Sequence, residues 1–159
     1  MRLMAKALPT VWDIEPHTAR KHAILRRYFE AWFPIMARWN QRVLYNQRVL
    51  YIDGFSGPGE YSNGEDGSPL IVLKAARDHR YARKAELVCV FVEKDEKRYQ
   101  KLTAVLNGVK STLPKNINFQ AVHGTFDEQT TRAATHWVPG CVGPFYFGFS
   151  RHSLLFRLR

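Results

Sequence analysis

The residues best suited to chemistry stand together in one short stretch, Asp53-Gly54-Phe55-Ser56-Gly57-Pro58-Gly59. The apolar run at 49–52 that precedes it is typical of a buried strand in a parallel sheet. In open α/β sheets, ligands bind outside the carboxyl ends of strands, and glycines let the backbone approach a ligand closely. Asp53 adds a carboxylate that accepts hydrogen bonds from amines or hydroxyls. The stretch therefore predicts either a cofactor loop or a tight strand-to-helix turn.

The glycine spacing narrows the class of cofactor. The stretch matches neither the dinucleotide fingerprint nor the P-loop, and its lack of lysine disfavours a nucleoside triphosphate. The pattern D-x-F-x-G-x-G resembles the cofactor loop of S-adenosylmethionine (SAM)-dependent methyltransferases, especially those that methylate amino groups of nucleic-acid bases. This resemblance implies that five loop residues hold the methionine part of SAM, namely Asp53, Gly54, Ser56, Gly57 and Gly59. Phe55 is predicted to belong to the same cofactor-binding site.

A second carboxylate stands at the end of the next apolar run. Residues 86–92 are typical of a buried strand, and Glu93 ends it. An acidic residue there can accept hydrogen bonds from ribose hydroxyls, so Glu93 is predicted to bind the ribose. Its separation from the loop exceeds the usual roughly 20 residues, because residues 60–67 form an added loop. Asp95 is the alternative ribose ligand, or else a helix N-cap.

Two further polar residues follow a third predicted strand at 116–122. Asp127 is predicted either to reach the amino group of a bound adenine or to cap a helix. His123 is predicted to be an ordinary loop histidine rather than a catalytic base. No catalytic residue is assigned, and the chain has no metal-ligand spacing.

Strands and helices alternate along the chain. Ser68 and Pro69 are predicted as N-cap and first residue of a helix reaching about residue 79. Next comes a predicted helix at 95–106, which Asn107-Gly108 is expected to end. It is followed by a weaker helix at 129–137 and a fourth strand at 144–149. This alternation predicts an α/β fold with a doubly wound parallel sheet of about four strands.

An amphipathic helix is predicted ahead of the sheet, at about 17–39. Thr18 is its candidate cap, and Pro34 is expected to kink or split it. The predicted organisation is a helical segment at 1–46, the sheet domain at 47–150 and an atypical tail at 151–159.

Composition bounds the partners. The chain has 159 residues, which suits one domain, and carries a net charge of +10. Such a charge attracts polyanions, so nucleic acid is a predicted partner. No apolar run is long enough to span a membrane. Two cysteines, Cys89 and Cys141, form no disulfide framework, which fits a reducing cytoplasm.

Several segments together resemble the three-Cys-motif partner proteins of bacteria, a methyltransferase-like family. The matching segments lie at 12–18, 21–22, 31–35, 51–61, 67–70, 91–95 and 123–126. The resemblance implies a Rossmann-like SAM-binding fold and a protein partner, encoded nearby, that carries three cysteines. Relatives of this kind are similar to base methyltransferases in placing a D-P-F-G-type segment after the fourth strand.

The chain departs from that family pattern at its C-terminal end. The fourth strand is followed by an apolar and basic stretch at 151–159 without the expected Asp or Pro. We expect no cap, turn or partner strand there, and we expect a truncated or frame-shifted copy. The leading hypothesis is a SAM-binding methyltransferase-like protein that lacks its acceptor-binding segment. The alternatives are a non-enzymatic nucleic-acid- or partner-binding module, or an inactive gene fragment.

Overall fold

The computed structural model describes residues 9–42, 48–79, 86–127, 146–149 and 154–157. Its helices and strands, in chain order, are α1 (Pro16–Arg42), β1 (Arg48–Asp53), α2 (Ser68–Asp78), β2 (Glu86–Glu93), α3 (Glu96–Val109), β3 (Ile117–His123), β4 (Tyr146–Phe149) and β5 (Leu154–Arg157). A short 3-10 turn, Lys110–Thr112, extends α3. The predicted helix at 129–137 and Cys141 lie outside the described residues. None of the described helices is long and apolar enough to cross a bilayer.

Strands β1, β2 and β3 form a parallel sheet in that order. The register pairs Asp53 with Phe91 and Glu93 with His123, so the carboxyl ends of the three strands meet at one edge. Helix α2 connects β1 to β2, and α3 connects β2 to β3. The predicted mixed α/β fold with a parallel sheet is confirmed.

The side chains of the central strands alternate between two apolar clusters, because successive residues of a strand point to opposite faces. On one face Tyr51, Cys89 and Phe91 pack with side chains from all three helices, including Phe29 of α1. On the other face Ile52 and its neighbours pack with Val122 and Phe126. Helices α1, α2 and α3 thus pack on one face of the sheet. The doubly wound arrangement, with helices on both faces, stays a prediction.

Helix α1 departs from its prediction at its start and at its proline. It begins at Pro16, and the Glu15 carbonyl accepts the N–H groups of Thr18 and Ala19 at 2.9 and 3.0 Å. Thr18 is therefore not the cap, because proline is tolerated in the first turn. The helix also runs unbroken through Pro34, so the predicted split is wrong, and the alternative of a kink stays a prediction. Burial of Phe29 and Trp32 against the sheet anchors this helix.

Helix α2 shows why Ser68 is not its cap. Gly67 occupies the N-cap position and Ser68 is the first helical residue. The Ser68 hydroxyl donates instead to the Asp53 carboxylate at 2.5 Å. A long-range bond to a buried carboxylate has replaced a local capping bond.

Helix α3 begins after Asp95, as the alternative role of this residue as an N-cap predicted. Asp95 is the N-cap, and its side chain accepts the Arg98 N–H at 3.0 Å. The predicted stop at Asn107-Gly108 is wrong, since the helix continues to Val109. Burial of Leu102 and Leu106 secures the last turns, which outweighs the weak helix propensity of a single glycine.

The C-terminal strands differ most from prediction. Strand β4 pairs antiparallel with β5, with Phe147 opposite Phe156. The expectation that residues 151–159 contain no partner strand is wrong. The described residues form a three-stranded parallel sheet and a two-stranded antiparallel one, rather than one parallel sheet of four strands. Strand β4 nevertheless lies close to β1.

One buried hydroxyl leads to a stability prediction. Tyr51 is fully buried, and its Oη has no hydrogen-bond partner among the described residues. An unsatisfied buried polar group costs about 1–3 kcal/mol. We expect Tyr51→Phe to raise the free energy of unfolding by about 1 kcal/mol in urea denaturation. A loss of stability would instead show that the hydroxyl has a partner.

Candidate functional site

The glycine loop at 54–59 spans the carboxyl ends of β1 and β2. It leaves β1 at Asp53, and the Ser56 N–H donates to the Val92 carbonyl at 3.0 Å. The Gly57 N–H donates to the Glu93 carboxylate at 2.9 Å. Gly57 has a φ of +64°, a conformation that side-chain-bearing residues rarely adopt. The structure therefore brings the loop and Glu93 together, and the ligands predicted for them stay predictions.

Asp53 lies beneath this loop as a buried carboxyl group. It has no solvent exposure. Its Oδ1 accepts the Phe55 N–H at 3.1 Å, and its Oδ2 accepts the Ser68 hydroxyl. Burial raises the pKa of Asp53 to about 6, against the lowering effect of these two hydrogen bonds. Asp53 thus ties the loop to α2. Sequence reasoning missed Ser68 in this role because its position before Pro69 resembled a cap.

Glu93 connects three segments of the chain. One carboxylate oxygen accepts the Gly57 N–H, and the other accepts the Asp95 N–H at 2.9 Å. Its backbone carbonyl accepts the Gly124 N–H at 3.1 Å. Only 8% of the residue is exposed. Glu93 therefore holds the glycine loop, the start of α3 and the segment after β3 in fixed positions.

We expect Glu93→Gln to destabilise the fold by about 1–3 kcal/mol. Glutamine has the same shape, but its amide NH2 would face one of the two backbone N–H groups that the carboxylate now accepts. Urea denaturation measures the change. Glu30→Gln is the matched control, because Glu30 is exposed on α1. Equal stability of the two variants would contradict a structural role for Glu93.

Two aromatic rings flank the loop. A Cβ on Gly54 would lie 2.2 Å from the Phe126 ring, so only glycine fits this close approach. The Phe55 ring lies 6.1 Å from the Phe126 ring, between centroids, and is 53% exposed. An exposed aromatic face at the edge of the sheet can stack against a planar ligand. Phe126 was missed, because only tertiary packing brings it to residue 54.

The remaining predicted residues have different surroundings. Gly59 packs against α3, where its Cβ position is 3.1 Å from Leu102. Asp127 is exposed just after Phe126, and its predicted contact with adenine is untested. The His123 ring nitrogens face the Lys94 carbonyl at 2.8 Å and the Glu96 carboxylate at 3.2 Å. His123, the last residue of β3, therefore joins this strand to the start of α3.

The segment before α1 packs onto the loop at 60–67. The Trp12 carbonyl accepts the Ser62 N–H at 3.1 Å, and the Trp12 ring meets the Tyr61 ring edge-on. The Arg98 guanidinium lies over the same indole, 4.8 Å from its centroid. The loop closes on itself through the Gly67 N–H, which donates to the Gly59 carbonyl at 2.9 Å. The added loop is thus ordered beside the glycine loop.

A separate cleft of about 470 Å3 lies between α1, the loop at 60–67 and α2. Arg26, Glu65, Asp66 and Lys74 line it, together with His22. The glycine loop is not among the residues that line the cleft, so the cleft and the predicted cofactor site are different places. Within the described ranges, no group of three or more side chains could hold a metal ion.

Comparison with known proteins adds no relative. No family model, curated protein or solved structure matches the chain. The resemblance to three-Cys-motif partner proteins thus rests on the sequence segments alone.

Proposed function

We propose that the chain is a SAM-binding, methyltransferase-like protein with an incomplete Rossmann-like sheet. One observation carries the proposal: the glycine loop lies across the carboxyl ends of adjacent parallel strands, pinned there by the bond from Gly57 to Glu93. In open α/β sheets, ligands bind at this edge, where the strand order reverses. A reversal of strand order beside β1 requires a later strand close to β1, and β4 lies close to it.

The loop offers suitable groups for a nucleoside cofactor. The exposed Phe55 ring provides a face for the adenine. Each oxygen of a carboxylate can accept a second hydrogen bond, so Glu93 can hold the loop and accept a ribose hydroxyl. The buried Asp53 carboxylate positions the loop by accepting the Phe55 N–H. The cofactor supplies an electrophilic methyl group when it is bound, and this chain's residues orient it.

The test is a thermal melt with S-adenosylhomocysteine. A ligand at about 100 times its Kd stabilises the folded state by about 2.7 kcal/mol, a shift of roughly 5–10 °C. We expect Phe55→Ala to weaken binding about tenfold, through the loss of stacking. Ile24→Ala is the matched control, because Ile24 is similarly exposed but lies on α1.

A cooperative melt that saturating ligand does not shift would contradict the proposal. Equal weakening of binding by Phe55→Ala and Ile24→Ala would contradict the role of the Phe55 ring. Absence of any cooperative melt would favour the alternative of an inactive gene product.

A second candidate is a non-enzymatic module that binds nucleic acid or a protein partner in the cytoplasm. Its supporting observation is charge: the chain carries +10, and α1 exposes Arg20, Lys21 and Arg27 without an ion pair in the described part of the chain. Binding to duplex DNA would then weaken steeply with salt and would persist in Phe55→Ala. The three-Cys-motif protein remains the proposed protein partner.

A further inference from the structure

The charged cleft between α1, α2 and the loop at 60–67 has features that neither the fold nor the proposed function requires. Its volume of about 470 Å3 falls within the ~300–1,000 Å3 range of small-molecule sites. It is also separate from the glycine loop, so a ligand there would not compete with a cofactor for the same residues.

One ion pair in the cleft is satisfied internally. The Lys74 ammonium contacts both carboxylate oxygens of Asp66, at 2.7 and 2.8 Å. Both groups line the cleft, and each neutralises the charge of the other. This pair fixes the loop against α2 and leaves no net charge for a ligand.

Two side chains of opposite charge in the same cleft have no ion-pair partner among the described residues. The Arg26 guanidinium comes from α1 and the Glu65 carboxylate from the loop, and neither forms an ion pair among the described residues. The backbone of Glu65 is held in place, because its carbonyl accepts the Tyr61 N–H at 2.9 Å and its N–H donates to Asn63. The cleft thus presents one unpaired cation and one unpaired anion from different elements.

The remaining lining is neutral or apolar. Burial, and then the nearby Arg26 charge, lower the pKa of His22, although Asp66 opposes this. In a neutral imidazole one ring nitrogen donates a hydrogen bond and the other accepts one. Ile14, Ala19 and Ala23 provide small apolar surfaces. A ligand that matches this lining carries both charges on a polar end and has an apolar part.

We propose that this cleft binds a small zwitterion of the α-amino acid type, either free or as a short peptide. Arg26 receives the carboxylate and Glu65 receives the ammonium. Ile14, Ala19 and Ala23 receive the side chain. Two complementary charges discriminate against molecules that carry only one of them, because the unmatched group would lose its hydration without gaining a partner.

The experiment is an NMR titration of the isotope-labelled chain with L-leucine and L-leucyl-L-leucine. We expect saturable shifts of amides at 14–26 and 64–66, with at least one probe binding at millimolar concentrations or below. N-acetyl-L-leucine lacks the ammonium and L-leucinamide lacks the carboxylate, and we expect each to bind about tenfold more weakly than leucine.

Variants assign the two charges. We expect Arg26→Gln and Glu65→Gln each to weaken binding about tenfold, whereas Arg27→Gln and Glu30→Gln change it less than about twofold. The two control residues are exposed on α1 outside the cleft. All four substitutions replace exposed side chains, so the fold is retained.

Several outcomes would overturn the proposal. These are no saturable shift with either probe, equal binding of N-acetyl-L-leucine, or unchanged affinity in Arg26→Gln. Shifts confined to the glycine loop at 54–59 would do the same, since they would place the ligand at the cofactor site. S-adenosylhomocysteine binding in Arg26→Gln is measured separately, so failure here leaves the proposed function independently testable.

Discussion

Replacing Asp53 by asparagine is expected to make the chain more stable at neutral pH, by as much as about 3 kcal/mol. The carboxyl group is fully buried, and burial raises its pKa from 3.8 to about 6. The folded state therefore binds the proton more tightly than the unfolded state does. The stabilisation contributed by the Asp53 proton is therefore fully present below about pH 4, declines as the pH rises towards 6, and is absent above that value.

Asparagine preserves the contacts of Asp53 without the charge. Its oxygen can accept the Phe55 N–H, and its NH2 can donate to the Ser68 hydroxyl oxygen. Urea denaturation from pH 4 to pH 7 should show a decline in the wild type that Asp53→Asn lacks. Asp78→Asn is the control, because Asp78 is exposed and its pKa is lowered by Arg77. A variant less stable than the wild type at pH 7 would contradict this account.

Gly54→Ala is expected to destabilise the fold by about 1–3 kcal/mol through overpacking. The new Cβ would stand 2.2 Å from the Phe126 ring, and that ring is packed against the second face of the sheet. Urea denaturation gives the loss of stability. A double variant, Gly54→Ala with Phe126→Ala, should recover part of the loss relative to the sum of the single variants, because the alanine Cβ then has space.

Gly108→Ala is the matched control for this substitution. Gly108 lies within α3, and its Cβ position meets nothing within 4 Å. Alanine there should stabilise the chain by about 0.5–1 kcal/mol, since glycine is a poor helix former. Additive effects of Gly54→Ala and Phe126→Ala would show that the clash is not the cause of the loss.

Local patterns predicted the elements of the fold well but not their ends. The apolar runs at 49–52 and 86–92 became parallel strands, and Asp95 became a cap, because these features depend on neighbouring residues. Ser68 was mispredicted because a buried carboxylate competes with the helix for its hydroxyl. Strand β5 was missed because its residues do not alternate between apolar and polar, and the strand depends on its pairing with β4.

The candidate site was predictable only in part, because some of its contacts depend on residues that are distant in the sequence. The glycine loop and Glu93 were found from strand-end positions, and the parallel sheet brings them together. The occupation of the Glu93 oxygens by two N–H groups was not foreseeable, since it depends on where α3 begins. The charged cleft left no signal at all, because Arg26, Glu65 and Lys74 are scattered over three elements.

The order of the strands also bears on how the protein forms during synthesis. Among the described residues, every backbone partner of the parallel sheet is present once His123 has been added, because β1, β2 and β3 pair there in chain order. Each pairing joins strands separated by a helix, so it closes a long loop and is slow compared with a hairpin. Growth of the chain from its N-terminus favours assembly in this sequence. The three strands can therefore associate once β3 has left the ribosome, before β4 has left it.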